Sequence, residues 1–146
     1  MGVKAALYRF LHLDNYDRQG ERMIKRSIEL YHRGGRLNRA RAMRLYRKVR
    51  RNFGCSFPPT ITVGKNLYIA HANGIGIGKT TVIGDNCKIY PKVEIAAALK
   101  GDSKLRASGA KRWHAKIGND VILGVGCTII GPVEIGDDRS EERRVG

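Results

Sequence analysis

A chain of 146 residues, 42% hydrophobic and 28% charged, carries enough apolar material for one folded domain and is not disordered by composition. Its 28 Lys/Arg against 13 Asp/Glu give a net charge of +15, yet no apolar run approaches the roughly 18 residues of a membrane span, and the start, Met1-Gly2-Val3-Lys4-Ala5, lacks a signal peptide's apolar stretch. Cys55, Cys87 and Cys127 are odd in number and lack C-x-x-C spacing, which speaks against a disulfide framework and against zinc, and fits a cytoplasmic protein.

Residues 1–53 read as a basic α-helical segment. Leu7, Phe10 and Leu11 form one short apolar stripe, and Met23, Ile24, Ile28 and Tyr31 another, at three- and four-residue steps. Gly34-Gly35 breaks the chain, because two glycines make helix propagation costly. Leu37, Ala40, Met43, Tyr46, Val49 and Phe53 then predict an amphipathic helix, with Pro58-Pro59 closing the helical region. This segment holds 15 Lys/Arg and 4 Asp/Glu, so most of the excess charge is N-terminal. It is densest in Arg36, Arg39, Arg41, Arg44, Arg47, Lys48, Arg50 and Arg51. With no nucleic-acid-reading module beside it, the cluster reads as a solvated helix face or a peripheral contact with an anionic membrane surface, and nucleic acid is not expected as a partner.

From residue 54 the period changes to six. Phe57, Val63, Ile69 and Ile75 are six apart, as are Ile77, Ile83, Ile89 and Ile95, and again Ile117, Leu123, Ile129 and Ile135. Six steps of a helix turn about 600°, which scatters these side chains over different faces. Turn formers follow directly in Gly84-Asp85-Asn86, Gly118-Asn119-Asp120 and Gly136-Asp137-Asp138. A small or β-branched residue recurs two places before the aliphatic one, at Thr81, Cys87, Val93, Val121, Cys127 and Val133. Short strands joined by sharp corners, with both positions turned into a narrow interior, satisfy this pattern. It predicts a mainly β fold, a hexapeptide-repeat parallel β-helix over 54–138, followed by an unpatterned tail at 139–146 read as foreign to the coil and as a sign of truncation. Cys87 and Cys127 then pack as compact apolar groups.

Gly74-Ile75-Gly76-Ile77-Gly78-Lys79-Thr80 imitates a phosphate-binding loop, but Asn73 stands where its first glycine is required. The six-residue rhythm also continues through it where a helix would have to begin. More telling are two interruptions. Ile75 and Ile77 are two apart, just after Ala70-His71-Ala72-Asn73-Gly74, and 22 residues separate Ile95 from Ile117, with a protruding loop expected at 96–116. Excursions from a rigid stack leave as loops, where function resides. Each break carries a histidine, His71 or His114, the side chain suited to proton transfer near neutrality.

Leu67–Ile75, Val82–Cys87 and His114–Gly124 resemble the hexapeptide-repeat acyltransferases, and within them the serine O-acetyltransferase branch, over about residues 53–137. The resemblance implies a left-handed parallel β-helix with three hexads per coil, homotrimers, and acetyl-CoA sites between neighbouring subunits. It implies direct acetyl transfer from acetyl-CoA to a hydroxyl, with no metal. His71 matches the general base and His114 the second histidine, which contacts the acceptor. Arg112 and Trp113 border the acceptor, while Lys111, Lys116 and Gly124 fall where coenzyme A would lie. The orienting carboxylate of serine enzymes would fall at Ser56, and other acidic positions are Ala70 and Lys79. These departures leave open, beside L-serine, a sugar of a surface polysaccharide as acceptor, or a non-catalytic β-helix scaffold.

Overall fold

The computed structural model describes residues 13–97 and 112–141. The stripe Leu7, Phe10, Leu11, the residue Lys111 and most of the expected loop lie outside them. Helix α1 spans Leu13–Arg33 and α2 spans Arg36–Phe53. The break falls at Gly34 and Gly35, both at φ near 80°, where a side chain would be strained. Four residues separate the end of α2 from the prolines. Gly54 takes a left-handed φ of 61° and its N–H donates to the Arg50 carbonyl, a glycine C-cap.

The apolar face of α2 is only partly the one expected. Ala42, Val49 and Phe53 are buried, whereas Leu37 is 64% exposed and Ala40 is exposed. Steps of three drift about 60° around a helix, so Ala40, three such steps from Val49, faces the opposite side, and Ala42 lies within about 20° of Val49. In α1, Ile24 and Leu30 are buried, and the buried Ser27 hydroxyl donates to the Ile24 carbonyl at 2.8 Å. Ile24, Val49 and Phe53 join the core of the coil, with Met23 and Ile28 packed against it. The helices thus cover the first coil.

Eleven short strands follow among the described residues: β1 Thr62–Val63, β2 Tyr68–Ile69, β3 Gly76–Ile77, β4 Val82–Ile83, β5 Lys88–Ile89, β6 Glu94–Ala96, β7 Lys116–Ile117, β8 Ile122–Leu123, β9 Thr128–Ile130, β10 Glu134–Ile135 and β11 Ser140–Glu141. They form three parallel sheets, β1-β4-β7-β10, β2-β5-β8-β11 and β3-β6-β9, the last extended by Ser56 bridging to Gly76. This is a left-handed parallel β-helix, a three-sided prism. The sequence tail holds one surprise: Ser140–Glu141 pairs with β8, so the backbone continues the coil after its aliphatic pattern has stopped.

Register shows where residues are inserted. Gly76 pairs with Glu94 and Lys116 with Glu134, the 18-residue step of three hexads. Tyr68 pairs with Lys88, a step of 20, and Val82 with Lys116, a step of 34. Two extra residues therefore enter between β2 and β3, and sixteen between β6 and β7. This moves Ile75 from the column expected for it. Ile77 stands in the strand column with Ile95, and Ile75 takes the preceding inward position, equivalent to Val93.

Both inward columns are otherwise filled as read. Ile69, Ile83, Ile89, Ile95, Ile117 and Leu123 are buried, as are Thr81, Cys87, Val93 and Val121. Cys127 is half-buried and Val133 is exposed, because no described layer is stacked above them. At the corner between the first and second sheets, Asn66, Asn86, Asp120 and Asp138 all have φ near 55°, a conformation Asn and Asp tolerate. The Asn66 and Asn86 amides donate up the stack, each at 3.0 Å, to Asn86 Oδ1 and Asp120 Oδ1.

Candidate functional site

The two-residue insertion builds the first half of the site. It bulges the edge between the second and third sheets, and His71 rides on it, exposed, at φ 48°. Its neighbours Ala70 and Ala72 are buried, so the histidine is held out between two inward anchors. Helix α1 braces this corner. A methyl group added at Gly20 would come within 2.6 Å of Ala72 Cβ and within 3.2 Å of the Phe53 ring, a closeness that only glycine allows.

Ser56, where serine enzymes would carry a carboxylate, is half-buried and shares a 3.1 Å hydrogen bond with the Tyr46 hydroxyl. A neutral pair therefore stands between α2 and the first coil at this position.

The second half lies on a different edge, between the third and first sheets. There the corner Gly78-Lys79-Thr80 of one coil supports the returning end of the sixteen-residue insertion, Arg112-Trp113-His114, in the next. Thr80 Oγ1 accepts the Trp113 N–H at 3.1 Å and the His114 N–H at 3.2 Å, and is hydrogen-bonded to His114 Nδ1 at 2.7 Å. Gly78 leaves the space that the His114 ring fills, and any side chain there would overlap the imidazole. His114 is 8% exposed. Lys79 Nζ lies 5.3 Å from the centre of the Trp113 ring, a cation–π contact.

Arg112 works as a clamp. Its guanidinium donates to the carbonyls of His114 at 3.0 Å and Pro132 at 3.3 Å and to Glu134 Oε1 at 2.8 Å, tying the loop's return to the coil above. Lys116 is exposed on β7. Gly124 follows β8 on the His71 edge, and its N–H donates to the Glu141 carbonyl at 2.8 Å.

The structure thus joins His114 with Arg112, Trp113 and Lys79, but it sets His71 on another edge of the prism. The sequence had marked Gly78-Lys79-Thr80 only as a corner imitating a phosphate loop. It is indeed a corner, since β3 occupies Gly76–Ile77 and the next element is the strand β4. Thr80 as the hub of three hydrogen bonds had no sequence signal, because its partners lie 33 and 34 positions away. Two of the three cysteines belong to the core. Cys55 and Cys87 are fully buried and free, and burial pushes both thiols above their ordinary pKa. Among the described residues, no group of three His, Cys, Asp or Glu is placed to hold a metal, and no helix is long and apolar enough to cross a membrane.

No protein-family model matches the chain. A probable serine acetyltransferase of rice, Oryza sativa subsp. japonica, is 39% identical over 97 residues, covering 66% of this chain and 29% of the relative. The serine acetyltransferase of Mycobacterium tuberculosis is 36% identical over 109 residues, 75% of this chain and 43% of that protein. Among solved structures, the serine acetyltransferase of Brucella abortus strain S19 aligns with a TM-score of 0.68 at 25% identity, covering 86% of this chain and 46% of that one. The chain spans less than half the length of these relatives.

Proposed function

Because the chain belongs to the hexapeptide-repeat, serine O-acetyltransferase-like family, we propose that the protein transfers an acetyl group from acetyl-CoA to a hydroxyl, with L-serine as the acceptor. The observation that carries this reading is the two-residue excess that lifts His71 out of the stack between buried alanines. As general base, His71 takes the hydroxyl proton while the oxygen attacks the thioester carbonyl. Collapse of the tetrahedral adduct breaks the C–S bond, and coenzyme A leaves as the thiol with that proton. The transfer calls for no metal. His114 contacts the acceptor with Trp113 beside it, and Arg112 holds the backbone that carries both. Lys111 and Lys116 attract the phosphates of coenzyme A, and Gly124 allows close backbone approach on the His71 edge.

One prism keeps its two histidines on separate edges, so the complete site belongs to a boundary where His71 of one copy meets His114 of another. A three-sided coil packed about a three-fold axis makes three such boundaries, a homotrimer. The protein would act in the cytoplasm, with the basic outer face of α2 touching an anionic membrane surface.

Thiol release from acetyl-CoA, measured with L-serine and with a panel of sugars, tests the reaction. His71→Ala is expected to lower the rate by about 10²–10⁴-fold with unchanged circular dichroism. Release undiminished in that variant would remove His71 from the chemistry. Release with sugars alone would replace the acceptor, and coenzyme A binding without turnover would make the coil a scaffold.

A further inference from the structure

The hydrogen bonds around His114 do more than hold it in place. A hydroxyl has one hydrogen to give and two lone pairs to receive with. Both lone pairs of Thr80 Oγ1 are occupied by the backbone N–H groups of Trp113 and His114, at 3.1 and 3.2 Å. What remains is its hydrogen, and the short contact that remains is His114 Nδ1 at 2.7 Å. Thr80 must therefore donate there, and Nδ1 must offer a lone pair. The N–H of Thr80 approaches the same nitrogen at 3.4 Å, a second donor turned towards it. An imidazole protonated at Nδ1 would point its hydrogen at a hydroxyl with no lone pair left and at another N–H.

We infer that Thr80 is a positioning residue that keeps the proton of His114 on Nε2, so that this histidine gives a hydrogen bond to an oxygen of the acceptor or of the tetrahedral adduct rather than serving as a second base. This rests on the reading of His114 as an acceptor-side group. The ring has little room to escape the arrangement. It fills the space left by Gly78, and the Arg112 clamp fixes its backbone carbonyl. An imidazole that keeps its hydrogen on Nε2 is a donor fixed before the substrate arrives, suited to a carboxylate or carbonyl oxygen. His71 is then the only base of the pair, and the two histidines have different work.

The tautomer can be read without substrate. In the folded protein labelled with ¹⁵N at histidine, long-range proton–nitrogen correlations should show His114 Nδ1 as a bare acceptor nitrogen and Nε2 as the protonated one. Thr80→Val should shift the tautomer ratio towards Nδ1–H about fivefold, the size of one lost hydrogen bond, and Thr80→Ser should restore it. A protonated, neutral Nδ1 in the unaltered protein, or a ratio unmoved by Thr80→Val, would overturn the inference. If Thr80→Val does not fold, because two backbone N–H groups lose their acceptor, the unaltered protein and Thr80→Ser decide: bare Nδ1 in both supports it, and Nδ1–H in either overturns it. In the acetyl-transfer assay, Thr80→Val should raise the KM for the acceptor and leave that for acetyl-CoA unchanged. An acceptor KM that stays the same would also count against it. Absence of transfer by the unaltered protein would instead refute the activity, while the spectrum still decides the tautomer.

Discussion

Gly78→Ala is the sharpest probe of how the His114 corner is built. Gly78 has no left-handed φ, so alanine meets no backbone strain there. In the unfolded chain it would even favour folding by about 0.4–1 kcal/mol. Against that, its methyl group would overlap the His114 ring. Moving the ring costs overpacking, about 1–3 kcal/mol, and the 2.7 Å bond to Thr80, about 1 kcal/mol. The net expectation is a loss of about 2 kcal/mol, read by urea unfolding, with the His114 ring resonances displaced in the folded state. Gly136→Ala is the control: nothing lies within 4 Å of an added methyl, and stability should stay level or rise slightly. If Gly78→Ala were as stable as Gly136→Ala with His114 resonances in place, the imidazole would not lie over Gly78, and the site described above would be wrong.

Further outcomes follow from the core, the thiols and the charge. Ile89 is fully buried, in register between Ile69 and Leu123, so Ile89→Ala should cost about 2–5 kcal/mol in urea unfolding. The Cys87 thiol is pushed above its ordinary pKa, chiefly by burial, so the folded state holds its proton longer than the unfolded one. The associated stability is present below the unfolded thiol's pKa, about 8.5, and is lost as pH rises towards the higher folded value. Thermal unfolding should therefore fall off above that pH, and less so in Cys87→Ala. Arg41, Arg44 and Arg47 are exposed on α2, and among the described residues no arginine of that helix pairs with a carboxylate. Binding to anionic lipid vesicles should weaken with salt and fall when these three become Glu. Salt-dependent binding to DNA or RNA with none to vesicles would reverse that partner assignment.

Much of the fold was legible in one dimension because a hexapeptide coil is a nearly local object. Each inward residue is announced by its neighbours six places away, and the corner between the first and second sheets by a Gly-Asp-Asn type turn. Both interruptions were visible as failures of that rhythm, with a histidine at each, and the resemblance gave them roles. The face of α2 was less legible. A run of three-residue steps resembles a stripe on paper, yet it winds around the helix, and packing against α1 and the first coil selected Ala42 over Ala40. Ile75 was placed one column away from its position for a similar reason. Where two residues are inserted, only the pairing of Gly76 with Ser56 and Glu94 tells which isoleucine continues the strand.

What the amino-acid order determined by itself was the prism: its period, its corners, its two breaks and the basic character of the helices before it. What only the tertiary structure decided was which side chains meet across those breaks. Thr80 and His114 are brought together because one coil lies directly under the return of a sixteen-residue excursion, and Gly20 reaches Ala72 because α1 closes the first coil. His71 and His114 fall on separate edges because two residues were inserted at one corner and sixteen at the next. Periodicity can mark an interruption, but the neighbours of an interrupted residue come from other layers of the stack, and their identity depends on how far the chain travels before it returns.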